Sequence, residues 1–290
     1  MKIRGISGHF FYCMKVLPQF SSRLHLFLNR FFRSFGRDRS PGAKKGRLFD
    51  SLNRRTSDSR SNGAAQTDFS KATLQQMMAE LQKAAEDSPQ VFIEALRALA
   101  TASDSKDLDT RGHSERVTRF SVEIARIMGL SEKEIERIRI AALIHDIGKI
   151  TIDDDILDKP TILSEAEYEV MKTHPAKGYE LLKHIPQLQE IMPGMQFHHE
   201  QLDGKGYPLG LKGDEIPTIA RIIMVADCFD AMTTIRPYQP PAPIEYVLAT
   251  IRSAAGVKYD EQVVEALVHG VRTGRIIARA QDRILVKPCS

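Results

Sequence analysis

Apolar residues recur at helical spacing along most of the chain beyond residue 70. Leu74, Met77, Met78, Leu81 and Ala84 form one stripe, read as packing surface or as a short dimerising helix, and Gln90 to Ala102 reads as the next helix. His113, Val117, Phe120 and Ile124 then share one face of an amphipathic run. Ser131 followed by Glu134 is a capping-box pattern, so a helix should start near Glu132 and continue through Ile135, Ile138, Ala142 and His145. A further apolar helical run contains Val225, Ala226 and Asp227, and Ile244 to Ala255 and Glu261 to Val268 read as closing helices separated by Gly256. The stretch Asp203 to Pro217 holds Gly204, Gly206, Pro208, Gly210, Gly213 and Pro217, too many breakers for helix or strand, and should be an ordered loop.

Composition divides the chain. The 290 residues carry a formal charge of +4, but Met1 to Arg47 alone holds 11 Lys or Arg and one acid, Asp38, which leaves −6 for the remainder. A general nucleic-acid binder would carry its basic surface on the folded domain, so no nucleic acid is expected as a partner. Residues 1–45 are basic and aromatic; Leu24, Phe27, Phe31 and Phe35 are helically spaced, with Arg23, Arg30, Arg33 and Arg37 mostly off that line. Such a segment suits an anionic membrane surface or a partner, the other reading being a disordered tail. Residues 46–70 read as a flexible linker, and 71–290 as one sizeable domain with a C-terminal tail of no assignable role. The cysteines, Cys13, Cys228 and Cys289, are odd in number and scattered, which fits a reducing cytoplasm better than a disulfide framework. No apolar run approaches the ~18 residues that span a bilayer, so the expectation is a cytoplasmic protein, peripheral at the inner membrane face if residues 1–45 bind there.

The chemistry gathers around His145-Asp146-Ile-Gly148-Lys149. Helical spacing puts His145 on a buried face with Asp146 among Leu143, Ile147 and Ile150, and burying an imidazole beside a carboxylate is costly unless something pairs with them. A hydrogen-bonded pair would do, and so would a metal cation. His113, His174, His198-His199-Glu200 and Asp227 change the balance, because five of the nine histidines with two carboxylates and no cysteine suit a polynuclear N/O site rather than a structural zinc.

These motifs in this order, His113, His145-Asp146-Ile-Gly-Lys149, His174, His198-His199-Glu200, Asp203-Gly-Lys-Gly206-Tyr207-Pro208 and Asp227, resemble the HD-GYP family of the HD phosphohydrolase superfamily, from about Phe92 to about Leu267. The resemblance implies an all-α fold, an HD-domain helical bundle extended by further helices and a glycine-rich loop. It implies two or three divalent metal ions, usually iron or manganese, and hydrolysis of cyclic di-GMP. By the same resemblance His113, His145, Asp146 and Asp227 hold one metal, while Asp146, His174, His198 and His199 hold a second, with Asp146 bridging. Paired divalent ions can bind and deprotonate a water and clamp the attacking and leaving oxygens of a phosphodiester displacement.

Asp109 matches the acid of a three-metal subgroup, although Asp109 and Thr110 are equally natural helix caps. Lys149 is expected to meet a substrate phosphate oxygen, with Gly148 letting backbone approach substrate. Arg236 matches a substrate-binding arginine, against the plainer reading of a surface residue. Tyr207 suits stacking on a guanine or packing in a turn, and the loop 204–208 is a candidate docking site for a diguanylate cyclase partner. Asp230 reads as an outer polar contact beside Asp227. Gln239, Ile235, Leu202 and Asp153 depart from common family residues, which touches substrate choice more than catalysis. The function so implied is a phosphodiesterase opening cyclic di-GMP to pGpG, to GMP or to both; the alternatives are cyclic GMP-AMP as substrate, or a non-catalytic module that binds the nucleotide or a partner.

Overall fold

The computed structural model describes residues 71–106, 112–159, 161–234 and 242–278. The basic segment 1–45, the linker 46–70, Asp109 and Arg236 fall outside the described residues. Within the described residues the chain is helical, with no strand and two isolated bridges, Asp203 to Lys212 and Ala255 to Tyr259. No described helix is long and apolar enough to cross a membrane.

The helices run in order α1 (Lys71–Asp87), α2 (Pro89–Lys106), α3 (His113–Ile127), α4 (Glu132–Ile144), α5 (Asp154–Leu157), α6 (Glu165–Met171), α7 (His174–Leu182), α8 (Met192–Gln196), α9 (Thr218–Thr233), α10 (Ile244–Ser253) and α11 (Glu261–Arg272). The start of α4 is the capping box read from the sequence: the Ser131 hydroxyl accepts from the Glu134 N–H and the Glu134 carboxylate accepts from the Ser131 N–H. Ser164 and Glu167 repeat the device at α6. Asp153 caps α5 by accepting from the Asp155 N–H, which gives that departure from the family pattern a structural job. Asp260 does the same for α11.

Helix α3 is the centre of the bundle. It packs on α4, α9 and α11, and its inward face is the predicted one, with His113, Val117, Phe120 and Ile124 all buried. Phe120 meets Phe229 of α9 edge-on at 5.2 Å between ring centres. Burying each of these rings is worth roughly 2–3 kcal/mol. Leu81 and Ala84 of the α1 stripe are buried within the chain, where α1 packs on α2, so that end of the stripe is packing surface.

Between α4 and α7 the chain makes a 3-10 turn, Ile147–Thr151, laid directly on α7. Gly148 permits this contact: a Cβ there would lie 1.9 Å from the His174 carbonyl oxygen and 2.7 Å from the Gly178 nitrogen. The close approach that Gly148 makes is to the start of α7. Helix α3 begins at His113 with Gly112 as its N-cap in a left-handed conformation (φ 68°).

Candidate metal centre

Each histidine reaches the centre from a helix end, and local geometry sets its ring. The last carbonyls of a helix lack intrahelical partners, and three histidines use such groups. His145 Nδ1 donates to the Ala142 carbonyl at 2.8 Å, His174 Nδ1 to that of Met171 at 2.8 Å, and His198 Nδ1 to that of Met195 at 2.6 Å. A carbonyl can only accept, so the proton is on Nδ1 and Nε2 presents a lone pair inward. The Nδ1 of His113 donates instead to a carboxylate, that of Asp230, at 2.7 Å.

The Nε2 atoms converge on Asp146. Its Oδ1 lies 3.1 Å from His174 Nε2 and 4.0 Å from His198 Nε2; its Oδ2 lies 3.4 Å from His145 Nε2 and 3.6 Å from His113 Nε2. The two oxygens of one buried carboxylate thus face two separate sets of imidazoles. Potential ligating atoms of Asp146, His174, His198 and His199 lie within 4.8 Å of one another, and so do those of His113, His145 and Asp146. Asp227 stands outside both groupings by that measure, but its Oδ1 is 3.2 Å from His113 Nε2, close enough to belong with the second.

The electrostatics suit a cation. Burial alone would raise the Asp146 carboxyl, yet Lys149, 2.9 Å away, and the His145 and His174 imidazoles hold it well below the usual carboxylate range. Burial and the hydrogen bond from His113 likewise oppose each other at Asp227, and the hydrogen bond prevails, so this carboxyl too is held low. Burial lowers His145 and His198, and brings His199 down to about 3 with help from His174, so these rings are neutral and ready to ligate. His113 is the exception. Burial would lower it, but hydrogen bonds to Asp227 and Asp230 push it up to about 10, so a proton supplies the positive charge those carboxylates require. Ionised oxygens among imidazoles, three of them held neutral by burial, are a donor set that fits divalent cations of borderline or hard character.

Of the residues expected to meet substrate, Lys149 is at the centre, paired with Asp146. Tyr207 lies against the ligand cluster, its ring stacked on His199 with centroids 4.7 Å apart, and the Lys172 ammonium lies over the ring, 6.0 Å from its centroid. The loop Asp203 to Pro217 is ordered as expected, containing only a short 3-10 turn at Gly213–Glu215. Gly206 has no room for a side chain, since a Cβ would come within 2.4 Å of Glu200 Cα and of the Gln201 nitrogen.

Three supporting residues were not assigned a role from the sequence. Arg116 is buried and grips Asp230 with two hydrogen bonds, Nε to Oδ1 at 2.6 Å and Nη2 to Oδ2 at 2.9 Å. Its position one turn after His113, where a charge would sit on the buried face, was the available signal. Glu200 is fully buried and accepts from the N–H groups of Leu209, Gly210 and Leu211 at 2.6, 3.1 and 3.0 Å, anchoring the loop beyond Tyr207. Asp104 accepts from the Ser114 N–H and hydroxyl at 3.1 and 2.7 Å, which ties α2 to the first turn of α3.

A family model described as the HD domain matches residues 97–263. The chain belongs to the HD domain family. The order of its motifs, from His113 through His145-Asp146 to Gly206-Tyr207-Pro208 and Asp227, is that of the HD-GYP proteins within it. Over 179 residues the chain is 45 % identical to a cyclic di-GMP phosphodiesterase of Thermotoga maritima, covering 61 % of this chain and 49 % of that protein. It is 36 % identical over 207 residues to the 3'3'-cGAMP-specific phosphodiesterase 3 of Vibrio cholerae, covering 71 % of this chain and 44 % of that one. The crystal structure of a cyclic GMP-AMP-specific phosphodiesterase of V. cholerae, V-cGAP3, matches with a TM-score of 0.51 at 21 % identity, over 68 % of this chain and 54 % of the other, a likeness of fold. The chain spans about half the length of the curated relatives it matches.

Proposed function

We propose that this chain is a metal-dependent phosphodiesterase that opens cyclic di-GMP to linear pGpG, to GMP or to both. The observation that carries the reading is Asp146, whose two oxygens each face their own set of imidazole Nε2 atoms. His113, His145, Asp146 and Asp227 would hold one divalent ion and Asp146, His174, His198 and His199 another, iron or manganese by the resemblance to the HD-GYP family. Bound there, such ions would supply the charge that polarises a phosphodiester and acidifies a water.

The chain's own residues do the rest. The main-chain carbonyls of Ala142, Met171 and Met195 keep three imidazoles in one tautomer, so that no ring reorganises during turnover. Lys149, whose ammonium sits 2.9 Å from Asp146, is the cation within reach of a phosphate oxygen and of the negative charge that grows on it. Tyr207 presents an aromatic face beside His199 against which a guanine can stack. Arg236 would add a second phosphate contact, and Asp109 a ligand for a third ion.

Further roles follow the same reading. Residues 1–45 would hold a cytoplasmic protein at an anionic membrane surface, the loop 204–208 would dock a diguanylate cyclase, and two copies would pair through α1. The similarity to a 3'3'-cGAMP-specific enzyme supports a second reading, the same chemistry on cyclic GMP-AMP. The test is turnover of both dinucleotides by anaerobically purified protein loaded with iron or manganese, with products separated. Linear pGpG from cyclic di-GMP, abolished in Asp146→Asn, is the expected result. Cleavage of cyclic GMP-AMP alone would replace the first reading by the second, and two bound metals with no turnover of either would leave a binding module.

A further inference from the structure

We infer that Arg116, acting through Asp230, is a positioning residue that makes the His113 side of the centre unlike the His174 side. The inference rests on reading the cluster as a metal centre.

Among the four imidazoles whose Nδ1 partner is defined, His145, His174 and His198 donate to neutral main-chain carbonyls. His113 donates to a carboxylate, Asp230 Oδ2, at 2.7 Å. That carboxylate is itself held at both oxygens by the Arg116 guanidinium, at 2.6 and 2.9 Å. Arg116 is 8 % exposed and Asp230 1 %. The layout follows from helix geometry: Arg116 lies one turn beyond His113 on α3, and Asp230 one turn beyond Asp227 on α9, so the two helices that bring His113 and Asp227 together also bring their clamp.

The chemistry of the acceptor matters. A carboxylate behind an imidazole raises the basicity of the far nitrogen more than a carbonyl does, and a planar guanidinium fork fixes the plane of that carboxylate and so the rotation of the ring. The His113 side is therefore tuned by two charged side chains that mutation can remove. The His174 and His198 rings on the other side are set by backbone. Metal affinity on the two sides should respond differently to the loss of Arg116.

The test uses the full chain, with Mn²⁺ titrated calorimetrically into metal-free protein and bound metal counted by elemental analysis. Arg116→Lys keeps the charge and loses the fork; Asp230→Asn keeps the shape and loses the charge; His113→Ala identifies which binding step belongs to that side. In both test variants the step that His113→Ala removes should weaken by about 10–100-fold, while the other step stays within about twofold of wild type on the same reasoning. The double variant should be no weaker than Asp230→Asn alone, because Arg116 acts through that carboxylate. Equal weakening of both steps, or of neither, would make Arg116 an ordinary structural residue. If Arg116→Lys fails to fold, Asp230→Asn and its own two steps decide the matter. Wild-type protein that takes up no Mn²⁺ would instead overturn the metal centre itself, and this inference with it.

Discussion

Glu200 shows how one buried side chain can govern a whole loop. Its carboxylate receives the N–H groups of Leu209, Gly210 and Leu211, while the His199 carbonyl accepts the Tyr207 N–H at 3.2 Å and the Tyr207 ring stacks on His199. Glu200→Gln turns one acceptor oxygen into an NH₂ donor facing backbone donors, a mismatch worth roughly 1–3 kcal/mol. The expected outcome is a loop cut faster in limited proteolysis and a raised KM for the dinucleotide with a smaller change in kcat. Loss of kcat at unchanged KM would mean that Glu200 serves the centre and not the loop. Asp104 offers a prediction of another kind. Burial raises its pKa from 3.8 to about 6 against the hydrogen bonds from Ser114. Across that window the folded chain binds more protons than the unfolded one, so this group's contribution is greatest below pH 3.8 and is lost as pH rises to about 6. The loss is on the order of 2–3 kcal/mol, and in denaturant melts from pH 4 to pH 6 the stability of wild type should fall by about that much relative to Asp104→Asn. The histidines and Asp146 were legible in the sequence because an imidazole or carboxylate on an apolar helix face demands a partner. Arg116 was not, because an arginine on an amphipathic helix ordinarily lies along the solvent side, and its partner Asp230 is 114 residues away.

At the scale of elements, what could be read was what is determined locally. The capping box at Ser131 and the single apolar face of α3 are each contained in about four turns of chain, and both are present as read. Helices α5 and α6 bury no residue, so they leave no apolar stripe, and only the Ser164–Glu167 pair marks one of them. The 3-10 turn after His145 was illegible for a different reason: it is set by the surface of α7, on which Gly148 and Gly178 meet. Gly148→Ala tests this directly. Its new methyl would sit inside the His174 carbonyl, so the turn must lift from α7, at a cost of at least about 1–3 kcal/mol. Because Asp146 and His174 flank the contact, metal uptake should fall along with the melting temperature. Gly129→Ala is the comparison: the residue has φ 75° with nothing within 4 Å of a Cβ, so it should lose about 1 kcal/mol and keep its metal. A Gly148→Ala protein that melts and loads like Gly129→Ala would show that the turn and α7 do not set the centre.

For the molecule as a whole, the consequence of gathering Asp146, Asp227 and their imidazoles in the interior is that the metal-free bundle must offset two buried carboxylates with charges of its own. His113 and Lys149 supply positive charge beside Asp227 and Asp146, yet both are drawn from one side of the cluster, while His198 and His199 remain neutral. Ligands that bind the folded state alone stabilise it by mass action, about 4 kcal/mol at a thousandfold excess over Kd. For a domain of this size that corresponds to a rise in Tm of roughly 10 °C. Excess Mn²⁺ should therefore raise the melting temperature, measured by scanning calorimetry, by about that amount over protein stripped with chelator. The helices joined by the centre are far apart in sequence, since α3, α4, α7 and α9 each contribute, so the gain should appear in one cooperative transition and not as a separate local melt. Asp146→Asn should abolish most of it, because this carboxylate faces both sets of imidazoles, whereas His199→Ala removes a ligand from one set and should retain part. Equal melting temperatures with and without metal would mean that the bundle tolerates its buried carboxylates unaided, and that the centre is held together by Lys149 and the protonated His113 instead of by cations.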